Sequence, residues 1–490
     1  MNTILVTPKQ MKLLEATSDQ NGTSYEQLML NAGNTLSKLI LNHCNGVNKK
    51  VLFLCGNGNN AGDCFVSAKN ICNEVDVTIA MLCGKPKTEL SNDTFLDLPD
   101  NVSILHSPDS IIEAISNCDV LCDGIFGTGF HGELPPNIQK ILSTEHRAYT
   151  IAVDVPSGVD CLTGRVSKGT LRADTTITFA YAKVGIKLYP AKEYCGEIVT
   201  VDIGISNTDY VNSIKYPITL LTKDCITLPN RVEDGNKGTF GRLLHITGSK
   251  TMKGACIMAS KSALRSGVGL LTVCTEDYSI MPIAMPEPIY INRTKEDISN
   301  SLKKSTAVLI GCGLGTSSEA MELLKYVIYN AKCPIVIDAD GINLLSTCID
   351  IIKDAHSSIV LTPHPLEFSR LTGISVEEVQ ANRLTLAKEF ANKYDCTLVL
   401  KGANTIIADN SCAYIDSTAN SGMAKGGSGD VLAGIVSSLL AQGMSPLQAC
   451  NLGVYIHSKA GILCAKEYSK YSMQPTDLIE QLPNVFKNLT

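Results

Sequence analysis

Gly426, Gly427, Ser428, Gly429 and Asp430 run directly into an apolar stretch, Val431 to Val436. Glycines that open a helix leave bare backbone N–H groups and the positive end of the helix dipole facing whatever lies in front, which suits a phosphate. An aspartate beside such an anion hole is placed to take a proton from a substrate hydroxyl. The pattern predicts phosphoryl transfer from a nucleotide to a small-molecule hydroxyl. Glycine-rich turns also start helices without any ligand, so the weight falls on the other motifs of the same half. They are Gly248-Ser249-Lys250, Gly254-Ala255, Gly311-Cys312-Gly313-Leu314-Gly315, Asp338-Ala339-Asp340-Gly341-Ile342-Asn343, Thr362-Pro363-His364-Pro365-Leu366-Glu367 and Lys401-Gly402-Ala403-Asn404-Thr405. His364, flanked by two prolines after an apolar run, is rigidly presented as a ligand contact. Lys401 follows the apolar Thr397 to Leu400, and its Gly-x-x-Thr continuation reads as a nucleotide loop.

The first half carries a second constellation. Val51 to Cys55 is followed by Gly56-Asn57-Gly58-Asn59-Asn60-Ala61-Gly62-Asp63, a glycine-rich turn between strand and helix that differs from the GxGxxG dinucleotide fingerprint. Two further runs end in Asp123-Gly124-Ile125-Phe126-Gly127-Thr128-Gly129 and Asp154-Val155-Pro156-Ser157-Gly158-Val159-Asp160. In an open parallel sheet ligands bind beyond the carboxyl ends of the strands, so the three loops should converge on one crevice. Their carboxylate, hydroxyl and amide oxygens suit a hard cation.

Short β-branched runs alternate with helical patterns along nearly all 490 residues, the mark of parallel sheets with crossover helices. Two helical patterns, Pro8 to about Ser18 and about Ser24 to His43, precede the first strong strand. In the second half, strand-like runs end at Thr247, Thr275, Gly311, Asp338, Thr362 and Lys401. Residues 206 to 235 lack a strong period, and a boundary there divides the chain into domains 1–215 and 216–490. A net charge of −6 with scattered Lys and Arg argues against nucleic-acid or anionic-membrane partners. Met1 to Pro8 has no basic region followed by a long apolar core, and no apolar run approaches the ~18 residues needed to span a bilayer. A cytoplasmic protein is expected. None of the 19 cysteines forms a CxxC pair or a Cys/His cluster, so Cys55, Cys122, Cys274 and Cys396, in or beside strand-like runs, read as small buried thiols.

Residues 8 to 210 resemble the epimerase domain of the bifunctional NAD(P)H-hydrate repair enzymes, which carries GxGNNGGD, D(G/A)(I/L)xGTG and VD(I/V)PSGxD loops in that order. The resemblance implies a Rossmann-like three-layer αβα domain. It implies that Asn60, Asp123 and Ser157 hold a potassium ion and that Asp154 acts in proton transfer. It places the hydrated nucleotide against Asn59, Asn60, Ala61, Gly62, Asp63, Gly127, Thr128, Gly129, Phe130, His131, Gly132, Glu133 and Asp154. Ala61 stands where the family usually has glycine.

Residues 225 to 487 resemble the ribokinase-like dehydratase domain of the same enzymes through Asn236 to Gly241 and the motifs above. By this resemblance Ala255, Gly313, Gly315, His364 and Asp430 contact the hydrate, and Lys401, Gly402, Ala403, Asn404, Thr405 and Gly429 contact the nucleotide. Cys312 replaces a usual proline, and Leu366 the glycine of TPHPGE. The implied chemistry repairs hydrated NADH or NADPH. The first domain interconverts the R and S forms. In the second, Asp430 activates the ring hydroxyl of the S form toward ADP or ATP, with magnesium, and phosphate is then eliminated. The expected partner is the small-molecule hydrate, and the assembly a homo-oligomer. A vitamin or sugar kinase of the same fold, with a non-catalytic N-terminal binding module, is the alternative.

Overall fold

A computed structural model describes residues 3–44 and 49–490. Met1 and Asn2 of the opening segment lie outside them. The chain forms two compact units, Met1–Ile218 and Thr219–Thr490.

The first unit is built on seven strands in the order Ser103–Leu105, Asp76–Met81, Lys50–Cys55, Val120–Gly124, Tyr149–Val153, Thr175–Phe179 and Glu197–Val201. Each pairs in parallel with its neighbour. Successive side chains of a strand face opposite sides, and both faces are covered. Val51, Phe53 and Cys55 meet Leu36, Ile40 and Phe65 on one face, while Leu52 and Leu54 meet Ile111, Ile115 and Ile138 on the other. The strand order reverses between Lys50–Cys55 and Val120–Gly124, which opens a crevice at their carboxyl ends. The loops Gly56–Gly58 and Ile125–Gly129 leave from those two strands. The two expected N-terminal helices are Pro8–Gln20, capped by Thr7, and Tyr25–Cys44.

In the second unit the order is Ile289–Ile291, Leu270–Cys274, Arg242–Ile246, Ala307–Ile310, Ile335–Ile337, Ile359–Leu361, Thr397–Leu400, Thr405–Ala408 and Ala413–Asp416. The pairs are parallel up to Thr397–Leu400 and antiparallel beyond it. Helix Ser428–Ala441 buries Val431, Leu432, Ile435, Val436, Leu439 and Leu440 in the core, beside Cys256, Ala259 and Ala263 of helix Lys253–Arg265. That burial fixes where its N-terminus points.

The aperiodic stretch after residue 206 is more ordered than its pattern predicts. Ser206 and Asp209 form a reciprocal capping box that starts helix Asn207–Ser213, a local device in a segment too short for periodicity to register. All 19 cysteines are free and none is exposed; Cys55, Cys122, Cys274 and Cys396 are buried. Among the described residues no helix is long and apolar enough to cross a membrane.

Candidate functional sites

In the first unit a cavity of about 620 Å³ is lined by Gly58, Asn59, Asn60 and Asp63 of the first loop, Ile125 to His131 and Glu133 of the second, and Asp154 of the third. Ala61, Gly62 and Gly132 are not on its wall. Ala61 and Gly62 sit buried in helix Asn59–Ile71, and Ala61 is not among the positive-φ residues, so the alanine carries no backbone penalty. Asp154 is the strained member: its φ is +66°, a conformation that costs a non-glycine residue ~1–3 kcal/mol and tends to mark functional positions. Its Oδ1 accepts from Thr178 Oγ1 at 3.1 Å, from the Phe179 N–H at 3.1 Å and from Lys183 Nζ. The Lys183 side chain is 1% exposed and also donates to the Phe179 carbonyl at 3.0 Å. Glu15 lines the same cavity. Burial holds the Asp63 carboxyl well above the usual range, with Asp154 and then Glu15 adding to the rise. Burial likewise raises Glu15, opposed by Lys183. Glu15, Asp63, Glu133 and Asp154 thus share one cavity with Lys12 and Lys183, and burial moves Asp63 and Glu15 toward the range where a carboxyl can give and take protons.

Asp123 and Ser157 lie behind this wall. Ser157 Oγ donates to Asp123 Oδ1 and accepts from the Phe126 N–H at 2.9 Å, and the Ser157 N–H donates to Asp123 Oδ2 at 2.8 Å. Burial raises the Asp123 carboxyl despite those bonds. The Asn60 amide stands beside Gly127, and its buried Nδ2 has no hydrogen-bond partner. A buried carboxylate, a hydroxyl and an amide oxygen fit a hard cation better than any apolar filling.

In the second unit a cavity of about 660 Å³ is lined by Asp338, His364, Lys401, Gly402, Ala403, Thr405, Gly426 to Asp430, and the side chains Asp416, His457 and Ser458. Ala255, Gly313, Gly315 and Asn404 are not on its wall. Gly427 starts helix Ser428–Ala441 at φ +107° and no side chain caps that end; the Ser428 N–H donates to the Lys425 carbonyl at 3.3 Å, and the Gly429 and Asp430 N–H groups are left for an anion. Asp430, in the first turn, is pushed up to about 6 by burial and by Asp338. Asp338 is 1% exposed and accepts from Lys401 Nζ and Thr362 Oγ1, both at 2.8 Å.

His364 has a structural task as well. Its Nδ1 accepts from the Leu366 and Glu367 N–H groups at 3.2 and 3.3 Å while Glu367 Oε2 accepts from the His364 backbone N–H at 2.8 Å. Nε2 therefore carries the hydrogen, 3.3 Å from Glu367 Oε1. Burial raises Glu367 to about 7. Leu366 lies within the first turn of helix Pro365–Thr372 and is 46% exposed, so replacing glycine there neither strains the backbone nor fills the cavity.

Sequence reasoning missed Lys183, Arg383 and His457. Arg383 is buried and donates to the carbonyls of Leu400, Lys401 and Asn404 at 2.8, 2.9 and 3.0 Å, clamping the loop that presents Lys401. His457, held down at about 4 by burial, bonds through Nε2 to the Ser428 carbonyl at 2.9 Å.

A family model described as NAD(P)H-hydrate dehydratase matches residues 243–484, and one described as YjeF-related protein N-terminus matches residues 25–185. The protein named bifunctional NAD(P)H-hydrate repair enzyme Nnr from Moorella thermoacetica is 34% identical over 463 residues, 89% of this chain and 87% of that protein. Its namesake from Coxiella burnetii is 33% identical over 492 residues, 98% of this chain and 99% of that one. Among solved structures, a ribokinase-like superfamily protein from Enterococcus faecalis V583 is 29% identical with a TM-score of 0.51, covering 56% of this chain and 96% of that chain.

Proposed function

The chain belongs to the family of bifunctional NAD(P)H-hydrate repair enzymes, and from that premise we propose which of its residues perform the two reactions. It is an epimerase of hydrated NADH and NADPH joined to a ribokinase-like dehydratase. The observation that carries the residue assignment is that each unit has a cavity lined by a carboxylate set for proton transfer: buried Asp154 paired with Lys183 in one, half-buried Asp430 at an uncapped helix N-terminus in the other.

In the first unit, Asp63, whose protonated form burial favours, donates to the ring hydroxyl as it leaves as water, while the ring nitrogen lone pair forms the iminium. Asp154, held by Lys183, takes a proton from the water that returns on the opposite face. The proton passes between the neighbouring carboxyls and the epimer is released. Asn60, Asp123 and Ser157 would hold potassium, which would supply positive charge behind the cavity wall. Omitting potassium, or Asp123→Ala, is expected to slow epimerisation ~10–100-fold, read as the rate of R-to-S interconversion by chromatography. An unchanged rate in potassium-free buffer would rule the ion out.

In the second unit, Asp430 takes the proton of the S-hydrate hydroxyl as its oxygen attacks the terminal phosphoryl group of ADP or ATP. The helix N-terminus and Lys401, both on the cavity wall, would face the phosphates, and magnesium carried by the nucleotide would supply further positive charge. The C–O bond then breaks with loss of phosphate as the ring nitrogen lone pair forms the iminium, and loss of a proton from the adjacent ring carbon, taken up by the departing phosphate, leaves its C–H electrons as the ring double bond of the dihydropyridine. Arg383→Ala leaves up to three carbonyls unpaired, each costing about 1–3 kcal/mol if it stays buried, and is expected to weaken nucleotide binding about tenfold by calorimetry. Epimerisation should not change.

The test of the whole reading uses mixed R and S hydrates with magnesium, potassium and either ADP or ATP, following the near-ultraviolet absorbance of reduced nicotinamide. Recovery of the entire mixture supports both activities and identifies the donor; a stable phosphorylated product instead would favour a kinase. Light scattering of the same sample tests the homo-oligomer.

A further inference from the structure

Cys312 stands where proline is usual, and its fully buried side chain lies off the cavity wall, against Asp338. Strand Ala307–Ile310 ends at Gly311, where an added Cβ would lie 1.9 Å from the Asp338 carbonyl, so the chain hugs the Asp338 backbone. The Cys312 carbonyl accepts from the Gly248 N–H at 2.8 Å, fixing the turn. Sγ is fully buried, 3.7 Å from Asp338 Oδ2. Sγ and one oxygen from each of Asp338 and Asp430 lie within 4.8 Å of one another. Asp338 Oδ1 is already occupied by Lys401 and Thr362, which leaves Oδ2 and the Asp430 carboxylate facing the thiol.

Resting on the assignment of Asp430 as the base, we propose that Cys312 is a positioning residue for dehydration: its S–H, shared between Asp338 and Asp430, holds the Asp430 carboxylate as a proton acceptor. Burial keeps the thiol protonated, with the two aspartates reinforcing it, so the donor persists across the working pH range. The S–H bond opposes the rise that burial and Asp338 impose on Asp430. The other charged groups around Asp430 are few. Lys401 lies on the Asp338 side with Glu367 3.9 Å from it, beside His364. Asp340 accepts from the Gly315 N–H at 2.8 Å. Helix Lys253–Arg265 buries only Cys256, Ala259, Ser260, Ser262 and Ala263, none of them charged, and His457 on helix Pro446–Ser472 is held neutral by burial. A buried cysteine acting only as a small apolar filler would make a different prediction.

The experiment is the pH dependence of kcat/KM for dehydration of the S hydrate by wild type, Cys312→Ala and Cys312→Ser, with nucleotide affinity by calorimetry as the check on folding. Serine keeps a donor and alanine removes it. Cys312→Ala is expected to move the acidic limb up by about one pH unit while the alkaline plateau stays within about threefold, and Cys312→Ser to restore the wild-type limb. A lower plateau with an unmoved limb in Cys312→Ala, or an equal displacement in Cys312→Ser, overturns the proposal. If Cys312→Ala does not fold, the infrared S–H band isolated as wild type minus Cys312→Ser decides: it should shift in Asp430→Asn, and an unshifted band overturns the proposal. Absence of dehydration by the wild-type protein would instead defeat the dehydratase reading, and an Asp430→Asn variant retaining more than about a tenth of the wild-type rate would defeat the assignment of Asp430, which keeps these failures apart from failure of the proposal.

Discussion

Asp430→Asn is expected to slow dehydration of the S hydrate by about 10³–10⁴-fold while leaving R-to-S epimerisation and nucleotide affinity within about twofold of wild type. Asparagine preserves the shape of the first turn of helix Ser428–Ala441 and leaves its N–H groups free for phosphate, but it accepts no proton at neutral pH. The loss should therefore fall on kcat rather than on nucleotide binding. The wild-type profile carries its own sign. Asp430, raised to about 6, is a base only above that value, so kcat/KM should fall about tenfold per unit as pH drops below 6 and level off above it. In Asp430→Asn that limb should vanish from the residual rate. A variant retaining more than about a tenth of the wild-type rate would show that another group, or solvent, takes the proton.

Much of this was legible because local chemistry writes itself into short words. Strand ends can be read from apolar β-branched runs, and Asn60, Asp123 and Asp430 stand in motifs whose glycines imply a close approach. Lys183 could not be found this way. It occupies a two-residue strand, Ala182–Lys183, where a lone lysine reads as a surface side chain, and only the parallel pairing of Leu5 with Ala182 and Val6 with Lys183 draws it inward. Arg383 is hidden for a similar reason: it opens an ordinary helix, Arg383–Tyr394, and its role appears only when the loop 401–404 folds over it. His364 shows the converse. The sequence singled it out as a ligand contact because two prolines present it, and the structure adds that the same ring caps helix Pro365–Thr372. What a spacing rule sees is what a residue offers; what it misses is partners supplied from far along the chain.

Lys183 also carries the second large expected effect. Lys183→Met removes the ammonium from Asp154 and leaves a carboxylate that is 8% exposed with, among the described residues, only the Thr178 hydroxyl and the Phe179 N–H as donors. Breaking a buried ion pair from one side costs about 3–5 kcal/mol, because the remaining charge is uncompensated. Denaturant unfolding should show that loss in the first unit. Epimerisation should slow by ~10²-fold or more as Asp154 loses its fixed orientation. Dehydration of pure S hydrate should be unaffected in protein that remains folded. Instability alone could mimic the epimerisation loss, and the double variant Asp154→Asn with Lys183→Met separates the two. Two neutral side chains of similar shape no longer strand a charge, so most of the stability should return. Without a carboxylate to take the proton, R-to-S interconversion should stay at the spontaneous rate. Recovery of both stability and epimerisation in the double variant would mean that the pair only holds the fold and that the proton moves through Asp63 and Glu15 alone.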